Sequence, residues 1–427
     1  MIISDWKNML ASARYFLKLI FISKEYDVVF MSSAFFNRGE AGENLLLKPM
    51  IEFCKKNNIS YAIIEDTDLK GEYKSFVRNK ESIPFDFISL LQIFFRKIYN
   101  LIVKKPTNLN DEYARDLKIS SILKSLFFKR FYSKVYLTLL WNNVTLWRRI
   151  SPNACIADYQ HGIIFDGHRG YVIDGNPPHV KSSNEVFTLV YGGRFKNLLI
   201  ENDNSGFYNE KNVIRVGLNK IIDKPKITSR SNKKILFTLQ ITADFQEKEF
   251  NKQYVQIVEK LIDNNAEFLS SNNYQIIFRH HPRYSSNECP QINIEYDFVS
   301  FDNKTPIAEL LSNVSIHITF NSTSAFDAAM MGRPTIFIDM HDPQSPTEIF
   351  FNQYIYPLQD WVIKDYEDLK YLLIEADNQY VYDNSCMDVY EWSKGFYQDF
   401  DERIFRDFIL EQINNGNGHG GLSKSVK

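Results

Sequence analysis

The chain has 427 residues, enough for two or three domains. Fifty basic and fifty-two acidic residues nearly cancel to a net charge of −2, which argues against nucleic-acid binding over the whole surface. Four cysteines (Cys54, Cys155, Cys289, Cys386) without paired spacing exclude a disulfide scaffold and a zinc knuckle.

The opening MIISDWKNML carries Asp5 and no cleavable apolar core, so no secretory signal is expected. Helical apolar spacing runs from residue 6 to about 21. YDVVFM (26–31) reads as a strand, 44–56 as a helix and SYAIIE (60–65) as a second strand. Strand, loop, helix, strand is the rhythm of an α/β domain with a parallel sheet. Residues 86–150 break it and predict a helical insertion, which includes LFFKRFYSKVYLTLLW (126–141). Twelve Lys or Arg face three Asp or Glu between Arg96 and Arg149, a local balance of +9. No stretch reaches the roughly 18 uninterrupted apolar residues of a spanning helix. The basic aromatic stretch then has two readings: contact with an anionic membrane face, or an apolar side buried in the domain with a wet, charged back. CIADYQ (155–160) and EVFTLVYGG (185–193) restore the strands.

A polar run, LNKIIDKPKITSRSNKK (218–234), predicts a linker with its boundary near 222–232. After it the rhythm restarts. Strands are expected at 234–240, 274–279, 294–300, 314–320 and 334–339, and helices at 247–269, 306–313, after 321, near 365–375 and over 390–413. The tail 414–427 is small and polar, and predicts disorder. The domains expected are thus 1–225, with the insertion at about 86–150, and 226–395, followed by a C-terminal helix at 396–413. Two such domains suggest a cleft, and in open parallel sheets ligands sit beyond the carboxyl ends of the strands.

Candidate chemistry falls at those ends. In FRHHPR (278–283) an apolar strand stops at two histidines and a proline. His281 can donate to a phosphate, with Pro282 setting the turn and Arg279 and Arg283 adding positive charge. In NSTS (321–324), Ser322 and Thr323 stand between a strand and a helix, where hydroxyls cap the helix or hold an anion. In ADYQHGIIFDGHRG (157–170), His161 beside Gly162 suits a strand-end base, and Asp158 is a second candidate; the ligand spacing matches no metal site. Glu65 ends the strand SYAIIE. Gln240 and Asp244 lie on the first loop of the second half. GxxxxGK[ST] does not occur and no GxGxxG follows a predicted strand, so neither an ATPase P-loop nor a dinucleotide fold is supported.

The two halves, the linker and the second-half motifs resemble the two-domain glycosyltransferase fold GT-B, an α/β fold of two Rossmann-like domains facing each other across a cleft. The HP of His281–Pro282 and the Ser322–Thr323 pair resemble motifs of bacterial transferases that use CMP-activated sugars, among them sialyltransferases and Kdo transferases of capsule and lipopolysaccharide assembly. Gln160–Gly162 resembles a motif of capsule and teichoic-acid polymerising enzymes. The resemblance implies that His281, Pro282, Arg283, Ser322, Thr323 and Gln240 hold a CMP-sugar donor in the second domain. The first domain would receive a saccharide or glycolipid acceptor, with Asp158, His161, Glu65 or Asp244 as the catalytic group. No metal or other cofactor is implied, and the expected place is the cytoplasm, with the inner membrane face as a peripheral contact. EDTDLKG (65–71) interrupts the acidic motif of sialyltransferases, which favours Kdo as the sugar. The alternatives are a CDP-glycerol-type glycerophosphotransferase, a sialyltransferase, and a non-catalytic glycan-binding protein.

Overall fold

The computed structural model describes residues 6–33, 37, 42–66, 77–103, 105–139, 143–218, 232–242, 248–282, 284–340 and 347–417. The chain divides into two units, one of Met1–Lys220 with Gln398–Lys427, the other of Ile221–Tyr397. Most of the expected linker, 222–231, lies outside the described residues.

In the first unit α1 (Trp6–Lys18) leads to β1 (Lys24–Ser33), α2 (Lys48–Lys56), β2 (Tyr61–Asp66) and the short β3 (Ile83–Pro84). Then come α3 (Asp86–Ile102), α4 (Leu109–Phe127), β4 (Phe131–Leu139), α5 (Val144–Ile150) and β5 (Cys155–Tyr159). α6 (His179–Ser182), β6 (Phe187–Val190), α7 (Gly193–Glu201) and β7 (Val213–Arg215) follow. The seven strands are parallel, in the order β3-β2-β1-β4-β5-β6-β7.

One element overturns a sequence expectation. Residues 131–139, read as part of a helical insertion, are the strand β4 between β1 and β5. Phe131, Ser133 and Val135 turn inward while Tyr132 is exposed, and from Val135 onward every residue of the strand is buried. Such a run looks alike in a buried helix and a central parallel strand; its β-branched and aromatic residues fit the strand. Lys134 pairs with Asp27 of β1 at 2.7 Å, and the α5 indole of Trp147 stacks on Tyr136 with centroids 5.0 Å apart. Two of this region's arginines are held within the unit. Arg96 pairs with Asp116 at 2.8 Å, and Arg148 donates to the carbonyls of Asn184, Pro152 and Ala154.

The second unit runs β8 (Lys234–Thr238), α8 (Lys248–Ser271), β9 (Gln275–Arg279), β10 (Val299–Phe301), α9 (Ile307–Ser312) and β11 (Ile316–Thr319). It continues with α10 (Ser324–Met330), β12 (Thr335–Ile338), a π-helical turn (Thr347–Gln353), β13 (Val362–Ile363), α11 (Asp368–Ala376) and α12 (Gln379–Phe396). Its six strands are parallel, in the order β10-β9-β8-β11-β12-β13. Ile235, Phe237, Ile276, Phe278, Ile316 and Ile318 pack in its core. The strand order reverses direction between β8 and β11, the topological switch at which doubly wound sheets bind ligands.

The helix expected over 390–413 is two helices. α12 stops at Phe396, and α13 (Glu402–Asn417) returns to the first unit, so 414–417, expected in a disordered tail, are helical. Between them the chain is held by backbone bonds, Leu218 N–H to Gln398 C=O at 2.7 Å and Asp401 N–H to Val216 C=O at 2.9 Å. Asp401 Oδ1 then accepts from the N–H groups of Arg403 and Ile404 at the start of α13. Gly217 makes this approach possible. Its φ is +83°, and a Cβ there would lie 2.1 Å from the carbonyl oxygen of Asp399. Gly217→Ala is expected to cost at least about 2 kcal/mol of stability, read as a lower urea midpoint. An unchanged midpoint would show that this segment yields without penalty.

Candidate functional site

In the second unit the expected donor-binding residues collect at one end of one sheet, beyond the adjacent strands β9, β8 and β11. Gln240 follows β8. Its Oε1 accepts from the backbone N–H of Asn321 at 2.8 Å and from the Tyr254 hydroxyl at 2.9 Å, so it joins the two turns that flank the switch point. Adjacent strands are about 4.8 Å apart, which puts the turns after β9 and β11 roughly 10 Å from each other.

After β9, His281 C=O accepts from Tyr284 N–H at 2.8 Å, closing a turn with Pro282 at its second position, where the fixed φ of proline fits. His281 is partly exposed and Pro282 exposed, whereas Arg283 lies outside the described residues. The two histidines differ. His280 is sandwiched between the rings of Tyr284, at 3.7 Å, and Phe301, at 5.4 Å, and burial pushes its imidazole down to about 4. Arg279, expected to add charge to the turn, instead donates to the carbonyls of Asp302 and Thr305.

The hydroxyls after β11 divide their work. Ser322 Oγ accepts from Ser324 N–H at 3.2 Å, Thr323 is exposed and makes no capping bond, and Ser324 is buried. Ser324 Oγ meets Thr238 Oγ1 at 2.9 Å and His317 Nε2 at 3.2 Å, while His317 Nδ1 meets Thr335 Oγ1 at 3.0 Å. His317 thus ties β8, β11, β12 and the start of α10 together. Burial pushes it down to about 3, so it is neutral in the fold. Sequence reasoning passed over it, although a histidine within VSIHITF is the signal of a polar group buried in a strand.

In the first unit, Gln160 follows β5 and is wholly buried. Its Oε1 accepts from Tyr191 N–H and its Nε2 donates to Gly162 C=O, both at 2.8 Å. The turn that carries His161 is thereby fastened to the end of β6. Gly162 has φ +72° and open space where a Cβ would stand. His161 N–H donates to the Tyr171 hydroxyl at 3.2 Å. Burial, with His168 and Lys181 nearby, pushes the His161 imidazole down to about 3.

Asp158, expected as an alternative base, is fully buried and paired at 2.7 Å with Lys181, which is buried as completely. Thr138 donates to its other oxygen at 3.2 Å. The Lys181 ammonium lies 4.3 Å from the Tyr171 ring centre, so the pair supports the residue on which His161 rests. Burial lowers the Lys181 pKa, and Asp158 opposes that shift. No spacing in the sequence pointed to Lys181. Glu65 is also buried, at the carboxyl end of β2. Its Oε2 accepts from Asn37 Nδ2 and Asn79 N–H at 3.0 and 3.1 Å, and Arg78 lies 4.0 Å from Oε1. Burial raises its pKa against these bonds. Asp244 lies outside the described residues. Among the described residues no group of three or more His, Cys, Asp or Glu side chains could hold a metal ion.

No protein-family model matches the chain, and no curated protein matches it. Solved structures do. UDP-bound MnaA from S. aureus aligns with a TM-score of 0.53 at 10% identity over 92% of this chain and 98% of its own. The UDP-GlcNAc 2-epimerase of Neisseria meningitidis, bound to UDP-GlcNAc, aligns at 0.50 and 10% over 91% and 100%. The glycosyltransferase SnogD from Streptomyces nogalater aligns at 0.50 and 9% over 91% and 100%. The fold is GT-B. At these identities the likeness is one of fold.

Two outcomes are expected. Asp158→Asn or Lys181→Met alone leaves a buried partner uncompensated and costs about 3 to 5 kcal/mol in urea unfolding, whereas the double variant recovers most of it. Equal losses in single and double variants would refute the pairing. For His317, the unfolded state binds a proton near 6.5 that the folded state takes up only near 3. Stability therefore falls as pH drops through that window, with a slope approaching about 1.4 kcal/mol per pH unit for this one group. His317→Gln should flatten the pH dependence of the urea midpoint by that share.

Proposed function

We propose that this GT-B chain is a glycosyltransferase whose second unit binds a CMP-activated sugar, with Kdo the favoured sugar, and whose first unit receives a saccharide or glycolipid acceptor. The observation that carries this reading is the switch point between β8 and β11. There Gln240, the HP turn and the Ser322–Thr323 pair collect at the carboxyl ends of three adjacent parallel strands. When the sugar–phosphate bond breaks, negative charge grows on the departing CMP. Donors already held in place stabilise that charge without reorganising, and in this reading His281, the Ser322 hydroxyl and the turn amides take that part.

In the first unit His161 is the group assigned to the acceptor hydroxyl. Neutral in the fold, it can accept a proton; with a pKa pushed down to about 3 it is a weak base. A weak base suffices when bond cleavage runs ahead of attack, because the hydroxyl becomes acidic as it bonds to the electron-poor anomeric carbon. Asp158 then acts through Lys181 and Tyr171 as a support of that turn.

A thermal-shift series with CMP, CDP, UMP, UDP and GDP tests the donor. A ligand that binds only the folded chain stabilises it, by about 2.7 kcal/mol at a hundred times its dissociation constant. CMP is expected to raise the melting midpoint, and His281→Ala to reduce the rise. No response to millimolar CMP would remove the cytidine assignment, and a response to UDP alone would move the donor to a uridine nucleotide. Product mass then separates the alternatives. Sugar addition supports the reading, glycerol phosphate addition points to CDP-glycerol chemistry, and absence of nucleotide release points to a glycan-binding protein.

A further inference from the structure

The first unit leaves one helix with two outward-facing stripes. Trp6, Leu10 and Leu17 recur at the i, i+4, i+11 spacing of a single helical face, and α1 buries a different face through Met9, Ser12 and Phe16. Trp6 is 64% exposed, Leu10 55% and Leu17 46%, unusual values for large apolar side chains in register. Lys7, Arg14 and Lys18 repeat at i, i+7, i+11 and form a basic stripe beside the apolar one; all three are exposed. The apolar stripe continues past the helix into Phe21, 75% exposed, and Ile22, 52% exposed. Arg130, itself exposed, donates to the Phe21 carbonyl at 2.6 Å and brings a further cation to that end. No Asp or Glu falls between Trp6 and Lys24.

We propose that this face of α1, with Phe21 and Ile22, rests on an anionic lipid surface. Tryptophan, leucine and phenylalanine on one side of a helix and lysine and arginine beside them match the two parts of a membrane interface, acyl boundary and charged headgroup. No helix among the described residues is long and apolar enough to cross a membrane, so the contact is lateral. A second copy of the chain is the poorer occupant. In a two-fold contact the patch would meet itself and set Lys7, Arg14 and Lys18 against their own like charges. The placement differs from 86–150, the stretch for which the sequence left a membrane contact and a buried apolar side as two readings. Of the cations there, Arg96 and Lys134 are paired with Asp116 and Asp27, and Arg148 donates to backbone carbonyls. The inference stands apart from the donor assignment.

Sedimentation of the full chain with vesicles tests it, using phosphatidylglycerol–phosphatidylcholine mixtures against phosphatidylcholine alone. Binding is expected to the anionic vesicles, to weaken with added salt, and to be slight on neutral ones. The Trp6→Ser/Phe21→Ser variant should bind roughly tenfold more weakly or worse, and Arg14→Glu/Lys18→Glu should lose the preference for anionic lipid. All four side chains are exposed, so an unchanged circular dichroism spectrum and melting midpoint will confirm folding. Failure of the wild type to sediment with anionic vesicles, or equal binding by the Trp6/Phe21 variant, overturns the proposal. So does a concentration-dependent dimer in light scattering that the same variant abolishes, because a second copy would then cover the face.

Discussion

A parallel strand loses its ladder partners at its carboxyl end, and the next backbone N–H must find another acceptor. Each unit meets that demand with a glutamine. Gln160 follows β5 and takes the N–H of Tyr191 after β6; Gln240 follows β8 and takes the N–H of Asn321 after β11. A carboxamide reaches one strand spacing without carrying charge into the sheet. The same side chains therefore decide where His161 and Ser322 stand, because each lies in a turn that its glutamine holds at one end. The candidate chemistry of both sheets hangs on this repeated device.

Beneath those turns the molecule carries polar groups that water cannot reach. Asp158 and Lys181 pair inside the first unit, and in the second burial keeps the His317 imidazole neutral while the hydroxyls of Thr238, Ser324 and Thr335 bond its two nitrogens. Glu65 is met by two amide donors, while the neighbouring Arg78 makes a two-pronged pair with Asp86. Buried groups of this kind contribute little net stability, yet each is strongly destabilising if left without its partner.

The fold does not choose the reaction. Epimerases and glycosyltransferases both align over nine-tenths of the chain at about one residue in ten identical. Function on such a scaffold is set by the few side chains at the strand ends, and a shared fold can carry unrelated chemistry. For that reason the functional reading rests on the second unit's switch point and its turns, where the nature of the side chains differs from position to position.

Much was legible in the sequence because periodicity reports local burial. The α/β alternation, most strands to within a residue or two, and the presence of histidine and hydroxyl turns at strand ends follow from apolar runs broken by Pro, Gly and polar residues. β4 was misread because its second half, from Val135 onward, is buried on both faces and shows no alternation, and its neighbour β1 lies some hundred residues earlier. The break between α12 and α13 was hidden because it depends on Gly217, some 180 residues earlier, accepting the backbone of Asp399. The amino-acid order by itself determined the α/β alternation and the residue types that stand at most strand ends. Only the tertiary structure decided that Asp158 is matched by Lys181, that His280 stacks while His281 stays partly exposed, and that His317 binds four elements together. Those outcomes depend on desolvation and on partners brought near by folding, and neither is encoded at short range.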